Sequence, residues 1–172
     1  MKKIFAITFF VFLLSQNAKS QNSRTITFQL SYNQVELGFE HKILTKKLFA
    51  ELHAGITNQD INSNFDDFTS RLGLGYTALS NPKNQISTHA GFGLYFTNNN
   101  YYSITVPLVY AGTRYTRLLG ETGKHRIFFN TGYRYGKRDY KEQYLSDVVN
   151  VSSIGTLKLT PLYFSIGYGF NF

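Results

Sequence analysis

From residue 21 onward, large apolar residues alternate with small or polar ones. A period of two residues is typical of a β-strand whose two faces have different surroundings. No window in this part of the chain shows a convincing helical period, so the pattern predicts an all-β protein. The alternation is clearest in the last run, where two rows interleave: Leu162, Phe164, Ile166, Tyr168, Phe170 and Phe172 against Tyr163, Ser165, Gly167, Gly169 and Asn171.

Seven earlier runs repeat this split and bring the predicted number of strands to eight. Short turn-like segments at 44–47, 80–84 and 119–123 alternate with longer polar ones at 58–67, 97–101 and 137–155. In the sixth run, Pro107 and Val109 leave the phase open, and the row that begins at Ile104 is taken as the apolar one. The predicted apolar rows are Ile26–Tyr32, Val35–Phe39, Leu48–Ile56, Leu72–Ala78, Ile86–Phe96, Ile104–Tyr110 and Ile127–Tyr135.

Two architectures accommodate eight alternating strands: a soluble barrel and a transmembrane barrel with the pattern inverted. The row opposite the apolar one distinguishes them, because it is rich in glycine, as at Gly73 and Gly75 or Gly91 and Gly93. Glycine inside a strand costs stability, and a solvated face gains nothing from it. A narrow eight-stranded interior needs small residues. The chain is therefore predicted to be an eight-stranded antiparallel up-and-down transmembrane β-barrel whose apolar row faces lipid.

The same small row contains acids and bases, which should pair inside a narrow barrel because unpaired charge there is costly. We predict that they form a polar network that closes the lumen. Its expected members are Glu36, Glu40, Glu51, His53, Arg71, His89 and Arg134.

The first 20 residues are predicted to be a secretory signal peptide. A positive start at Lys2 and Lys3 precedes an apolar run from Ile4 to Leu14, and Ala18-Lys19-Ser20 fits a cleavage site. About eleven apolar residues are too few to span a bilayer, which needs about 20. The domains are therefore expected to be 1–20, the signal peptide, and 21–172, the barrel.

Charge and composition change this picture little. The leader has three of the 18 Lys and Arg and none of the 10 acids, so the mature net charge is 15 minus 10, or +5. The chain has no Cys, which excludes disulfides and thiolate metal sites. Aromatic residues make up 17% and gather near strand ends, as membrane interfaces require. This group is Tyr32, Tyr76, Phe96, Tyr101, Tyr102, Tyr110, Tyr115, Tyr135, Phe170 and Phe172.

The leader, the eight alternating strands and the C-terminal Ile166–Phe172 segment resemble the small OmpA/OmpX-like outer-membrane barrels of Gram-negative bacteria. The resemblance is architectural and brings no activity with it. It implies outer-membrane lipid and the barrel-assembly machinery as partners, with Tyr168, Phe170 and Phe172 as the assembly signal. It also places both termini and the short turns in the periplasm and the longer segments outside.

With that topology, most of the basic excess falls at the periplasmic end. We expect it to form a ring that faces lipid phosphates, and we expect no nucleic-acid partner. The ring residues are Lys42, Lys46, Lys47, Lys83, Arg114, Arg117, Lys124 and Arg126.

Candidate catalytic chemistry is sparse. His53 and His89 are expected to be hydrogen-bond partners of Glu51 or Glu40 in the lumen, with no metal and no cofactor. Ser87 and His89 share a face, but no acid lies near them in sequence to complete a triad. The sequence therefore favours a protein that is not an enzyme, with a lipid-modifying enzyme or a narrow porin-like pore as the alternatives.

The best candidate for a binding function is the polar segment after Lys137, which mixes both charges with tyrosines and suits a protein or glycan partner. The expected function is a structural or surface-interaction role for a monomer, including service as an accessory of an envelope-spanning secretion or conjugation machine. The interaction residues are Arg138, Asp139, Tyr140, Lys141 and Tyr144.

Overall fold

The computed structural model describes residues 24–43, 47–58, 67–98, 103–145 and 150–172, with backbone only at 98, 142–145 and 150–152. The predicted signal peptide, Tyr101, Tyr102 and Lys46 lie outside the described residues. No helix among the described residues is long and apolar enough to cross a membrane. The strands are β1 Arg24–Ser31, β2 Gln34–Lys42, β3 Leu48–Thr57, β4 Asp67–Ser80, β5 Asn84–Asn98, β6 Ser103–Leu119, β7 His125–Tyr135, β8 Lys137–Leu145, β9 Asn150–Lys158 and β10 Leu162–Asn171.

Eight of these strands form a closed antiparallel barrel in the order β1-β10-β7-β6-β5-β4-β3-β2. The first and last strands seal it, with Phe28 opposite Tyr168 in the β1–β10 pair. Closure satisfies the backbone hydrogen bonds that open sheet edges would leave unpaired in lipid. The predicted eight-stranded antiparallel up-and-down barrel is confirmed.

The two faces of the barrel wall have the inverted pattern that the sequence predicts. Large apolar side chains stand on the outside, where Leu37 and Phe92 are each 62% exposed. Polar and charged side chains fill the inside, where Glu51 is 1% exposed. An apolar exterior around a polar interior is the arrangement of membrane-spanning barrels.

Inward glycines allow the walls to approach closely. A Cβ on Gly91 would lie 2.2 Å from the Leu72 carbonyl oxygen and 2.6 Å from the Cα of Gly73 on the neighbouring strand. Both contacts are with backbone and therefore cannot be relieved by a side-chain rotation. The glycine-rich row thus reflects close packing inside a narrow barrel, as the sequence suggests.

The predicted phase of the sixth strand was wrong. Ile104, Val106, Leu108 and Tyr110 point inward and are buried, and the outward row instead includes Val109, which is 58% exposed. These inward residues join Tyr95, Leu157 and Leu159 in an apolar cluster, here called the mouth cluster. Because part of the interior is apolar there, the larger residues of β6 mark the inside and not the lipid face. Tyr110 is therefore not an interfacial aromatic residue.

The segment expected to be a loop from Lys137 to about Gly155 instead forms the β8–β9 hairpin. This hairpin continues the β7–β10 ladder in the same register, since Tyr133 lies opposite Leu162 and Lys137 opposite Lys158. Two bridging hydrogen bonds carry the ladder across the junction: Arg134 N to Pro161 O, 2.7 Å, and Leu159 N to Gly136 O, 3.0 Å. This strand pair was not predicted because its residues are mostly polar. It lies outside the closed barrel.

The two ends of the barrel differ in their connections. At one end, here the short-turn end, Asn81 Oδ1 accepts hydrogen bonds from the amides of Lys83 and Asn84, and Gly120 and Gly123 have φ of 68° and 60°. Those φ values favour glycine. At the other end, the long-loop end, lie the β1–β2 turn, the C-terminal ends of β3 and β5, the N-terminal ends of β4 and β6, and the β8–β9 hairpin.

Candidate functional site

The interior of the barrel contains the seven residues predicted to form a polar network. Their exposed fractions lie between 1% and 8%. They come from β2, β3, β4, β5 and β7, whose inward positions all converge on one narrow lumen. The following hydrogen bonds and ion pairs connect them.

Two neighbouring carboxylates occupy the middle of the lumen. Glu40 and Glu51 lie directly opposite each other in the β2–β3 pair and both point inward. Like charges placed this way repel each other. Arg114 counters the repulsion: it donates from Nη1 to Glu40 and from Nη2 to Glu51 Oε2 at 3.0 Å, with Nε bonded to Asn130 Oδ1 at 2.7 Å.

The position of Arg114 gives this contact its structural importance. Arg114 is on β6, which lies four strands from β2 in the barrel order and therefore on the opposite wall. The guanidinium stands over the Phe128 ring at 5.0 Å and is 2% exposed. We call Arg114, Glu40, Glu51 and their partners the Arg114 network, which connects opposite sides of the barrel.

The Glu51 carboxylate also contacts side chains from three strands. His89 Nδ1 lies 2.8 Å from Oε1, and the Tyr110 hydroxyl donates to the same oxygen at 2.9 Å. His53 Nε2 is 3.5 Å from Oε2. Both histidines thus contact Glu51, and His89 Nε2 also lies 3.2 Å from the Tyr163 hydroxyl on the far wall.

A second ion pair lies nearer the long-loop end. Arg71 pairs with Glu36 through two nitrogens, one of them Nε at 3.0 Å from Oε1. Gln29 and Gln34 donate to the same carboxylate. The rings of Tyr110 and Tyr163 flank the Arg71 guanidinium at 4.9 Å and 5.6 Å. Buried charge is stable in this form because it is paired and hydrogen-bonded.

Arg134 differs from these pairs. It donates from Nε to the Thr160 carbonyl and from Nη1 to Gln34 Oε1, both at 2.9 Å. Among the described residues, no carboxylate lies within 4.0 Å of its nitrogens. Its side-chain hydrogen bonds therefore go to neutral oxygens.

Arg114 and Arg126 do not belong to the predicted basic ring. Arg126 is 7% exposed and donates to Glu40 from inside the barrel, and Arg114 lies at the centre of the network. The sequence contained a usable signal. Gly112 shares the inward row with Arg114, and the β7 row that contains Asn130, Gly132 and Arg134 also contains Arg126.

A metal ion is poorly suited to the lumen. Glu40, Glu51 and His53 each offer a ligand atom, and these atoms lie within 4.8 Å of one another. Both carboxylates are already bonded to arginine, however, and a cation would need to displace Arg114 and overcome the repulsion of Arg126. The arrangement serves to pair charges across the lumen.

The candidate nucleophile and base have separate partners. The Ser87 hydroxyl lies 3.2 Å from the Thr77 hydroxyl. The two ring nitrogens of His89 are directed to Glu51 and Tyr163. His89 thus has an orienting acid in Glu51, one of the two partners that the sequence predicted for it, while Ser87 faces another hydroxyl.

Little free space is left among these side chains. Near Thr25, Glu40 and Arg114 the lumen has a cavity of about 20 Å³, and near Gln29, Glu36 and Arg71 one of about 10 Å³. Each has room for at most about one water molecule.

The long-loop end has the predicted interaction residues on the hairpin. Arg138 is exposed and donates from Nη1 to the Thr105 carbonyl at 2.6 Å, and Asp139 accepts from the Thr156 hydroxyl at 2.6 Å. Tyr140 is half-buried against the mouth cluster. Lys141 is exposed, and the Tyr144 side chain lies outside the described residues.

The predicted assembly residues line the outer face of β10 and the chain end. Tyr168, Phe170 and Phe172 are 39–43% exposed. The Phe170 ring is 5.3 Å from His125 and stacks at 6.5 Å on Phe172. The aromatic face is therefore continuous at the short-turn end.

Comparisons with known proteins support the fold. No family model matches the sequence, and no curated protein matches it. The structure is similar to the crystal structure of the N-terminal β-barrel domain of Pseudomonas aeruginosa OprF, with a TM-score of 0.54 and 14% sequence identity. The similarity covers 89% of this chain and 100% of that one. At this identity the likeness shows the fold alone: the chain has the fold of the small OmpA/OmpX-like eight-stranded barrels.

Proposed function

We propose that this protein is a small outer-membrane barrel with a closed polar interior, which acts at the cell surface through its long-loop end. The observation that carries the proposal is the Arg114 network, because it joins opposite walls of the lumen with ion pairs. A continuous water-filled path would need these charges to separate. A structural and surface-interaction role follows more naturally than conduction.

The exterior supports a membrane location. Apolar residues cover the outward rows, including Ile166 at 59% exposure and Leu74 at 56%. Such a surface would aggregate in water and is favourable in lipid. Barrels of this kind have short periplasmic turns and longer extracellular connections, so the long-loop end is assigned to the outside.

The β8–β9 hairpin supports a surface-interaction role. Arg138, Asp139 and Lys141 expose both signs of charge, and Ile154 is 75% exposed beside them. Mixed charge around an exposed apolar residue suits recognition of another molecule. The junction at Gly136 and Pro161 keeps the hairpin in register with the barrel, so it is a rigid platform.

Catalysis of lipid modification is not part of the proposal. The Glu51–His89 pair is enclosed by Tyr110 and Tyr163 inside the lumen, whereas lipid lies on the opposite face of the wall. We expect the lipid A mass spectrum to be the same with and without the gene. A change in the mass of lipid A that depends on His89 would contradict the expectation that the protein does not modify lipid A.

Cysteine labelling tests location and orientation directly, since the chain has no natural Cys. Ile154→Cys places a thiol on the hairpin, and Lys83→Cys places one in a short turn. In intact cells a membrane-impermeant maleimide should label the first variant and label the second only after the outer membrane is permeabilised. The reverse pattern, or equal labelling of both variants in intact cells, would contradict the proposal.

A further inference from the structure

We propose that the long-loop end contains a binding site for a carboxylated sugar. The site is a cavity of about 230 Å³ between the β1–β2 turn, the ends of β3, β5 and β7, and the stretch that joins β9 to β10. We call it the mouth pocket. It is lined by Asn33, Asn58, Tyr95, Arg134, Leu157, Lys158, Leu159 and Thr160.

Arg134 supplies the charge that selects an anion. The residue is 7% exposed, and its two hydrogen bonds go to the Thr160 carbonyl and the Gln34 amide oxygen. Within the described parts of the chain, it has no carboxylate within 4.0 Å. A buried guanidinium without a counter-ion is costly, so a carboxylate from solution would gain a partner that is already in place.

Its contrast with the other interior arginines strengthens this reading. Arg71, Arg114 and Arg126 are each bonded to a glutamate. Arg134 is the member of this set that lines the mouth pocket. The arginine of this set that has no ion pair among the described residues therefore lies where the barrel opens to the long-loop end.

The rest of the lining suits a sugar ring better than a bare ion. Leu157, Leu159 and the Tyr95 ring provide apolar surface for ring C–H groups. Thr160, which is exposed, provides a polar group for hydroxyls. The lining includes Arg134 and Lys158 but no acid. Asp67 accepts a hydrogen bond from Tyr95 and is not within 4.0 Å of Arg134 among the described contacts.

The size of the pocket limits the ligand to about one sugar unit. A volume of 230 Å³ corresponds to about eight water molecules at the volume each occupies in the liquid. A hexuronic acid is of that order. The carboxylate would be free in solution as a monosaccharide or part of a polysaccharide at the cell surface, and in both cases the same group binds Arg134.

This inference rests on the proposed function, because it places the pocket at the outer surface. The binding proposal and the proposed orientation in the membrane can be refuted independently of each other. Labelling from the wrong side of the membrane would overturn the orientation without affecting binding in detergent, while an absence of binding would leave the orientation intact.

The test is calorimetric titration of the full-length mature chain, refolded in detergent micelles, with D-glucuronate, D-glucose, sodium acetate and a uronate oligosaccharide. Glucuronate should bind saturably with a Kd on the order of 1–10 mM, at least about tenfold tighter than glucose or acetate. If the oligosaccharide binds more tightly than glucuronate, the natural ligand is a polysaccharide. If glucuronate binds more tightly, the natural ligand is a monosaccharide free in solution. Equal binding of glucuronate and glucose, or equal binding of glucuronate and acetate, would overturn the proposal.

Variants locate the site. Arg134→Gln should weaken glucuronate binding at least about tenfold, while Arg117→Gln, an exposed arginine near the short turns, should leave it unchanged. Undiminished binding by Arg134→Gln would refute the assignment. Should Arg134→Gln not fold, Lys158→Gln and the ligand comparison on the unaltered protein decide the question. Lys158 is an exposed residue of the lining, and unchanged glucuronate binding by Lys158→Gln would also refute the proposal.

Discussion

Replacing Arg114 with alanine tests whether the cross-lumen ion pairs stabilise the barrel. The substitution removes the guanidinium that bonds to Glu40 and Glu51 and leaves these neighbouring carboxylates facing each other. It also removes the bond to Asn130 and the contact with the Phe128 ring. Arg114 is 2% exposed, so water cannot easily take its place.

The expected cost follows from the partners that remain. Removing one member of a buried ion pair costs about 3–5 kcal/mol, because the other member is left buried and uncompensated. Glu40 keeps Arg126, and Glu51 keeps His89 and Tyr110. These contacts reduce the penalty, so Arg114→Ala should lower the free energy of unfolding by about 3 kcal/mol, at the low end of that range.

Urea unfolding in detergent micelles, followed by far-UV circular dichroism, measures this change. Circular dichroism is appropriate because the chain has no Trp. Arg117→Ala is the matched control: it removes an exposed arginine from the same strand and should change the free energy by less than about 0.5 kcal/mol.

A loss below about 1 kcal/mol for Arg114→Ala would refute the reasoning, since exposed ion pairs contribute no more than that. The combined variant Arg114→Met and Glu51→Gln should recover part of the loss, because it removes the buried charges of Arg114 and Glu51 together and keeps the ion pair between Glu40 and Arg126. A combined variant that is less stable than Arg114→Ala would show that carboxylate repulsion is not the cause.

Three further substitutions test packing and assembly. Gly91→Val should cost about 1–3 kcal/mol in the same unfolding assay, because its Cβ would meet the Leu72 carbonyl at 2.2 Å, whereas Ala90→Val on the outer face should be nearly neutral. Leu157→Ala should cost about 2–5 kcal/mol and speed amide exchange in β9, while Ile154→Ala, 75% exposed, should change the free energy by less than about 0.5 kcal/mol. Phe172→Ser, which keeps the backbone hydrogen bonds with Arg24, should lower the fraction of chains in the outer membrane, measured by fractionation, with unchanged refolding in micelles. These expectations would be contradicted if the two variants of a pair lost the same free energy of unfolding. They would also be contradicted if the Phe172 variant and the unaltered protein reached the outer membrane in equal fractions.

The fold could be predicted because its main signal is local. A period of two with unlike faces fixes which side of each strand is inward, and the glycine-rich row identifies the crowded side. That logic succeeded for β10, where one row is plainly larger and more apolar, and for β3, where one row is plainly more apolar. It failed for β6, where Ile104, Val106 and Leu108 face an apolar part of the interior.

The site could be predicted only in part, because pairing across the lumen depends on strand order and stagger. The sequence indicates that Glu40 and Glu51 point inward, but the partner Arg114 is more than 60 residues away along the chain and on the opposite wall. Arg114 was missed because the β6 phase was reversed, although Gly112 in the same row marks that row as inward. The β8–β9 hairpin was missed because its residues are mostly polar on both faces.

The central claim is that the Arg114 network closes the lumen, and single-channel recording in planar lipid bilayers tests it most directly. The purified mature protein should insert without producing a steady ionic current, because paired charges and cavities of about one water molecule interrupt the path between the two ends. A stable, reproducible single-channel current from the unaltered protein would contradict the claim.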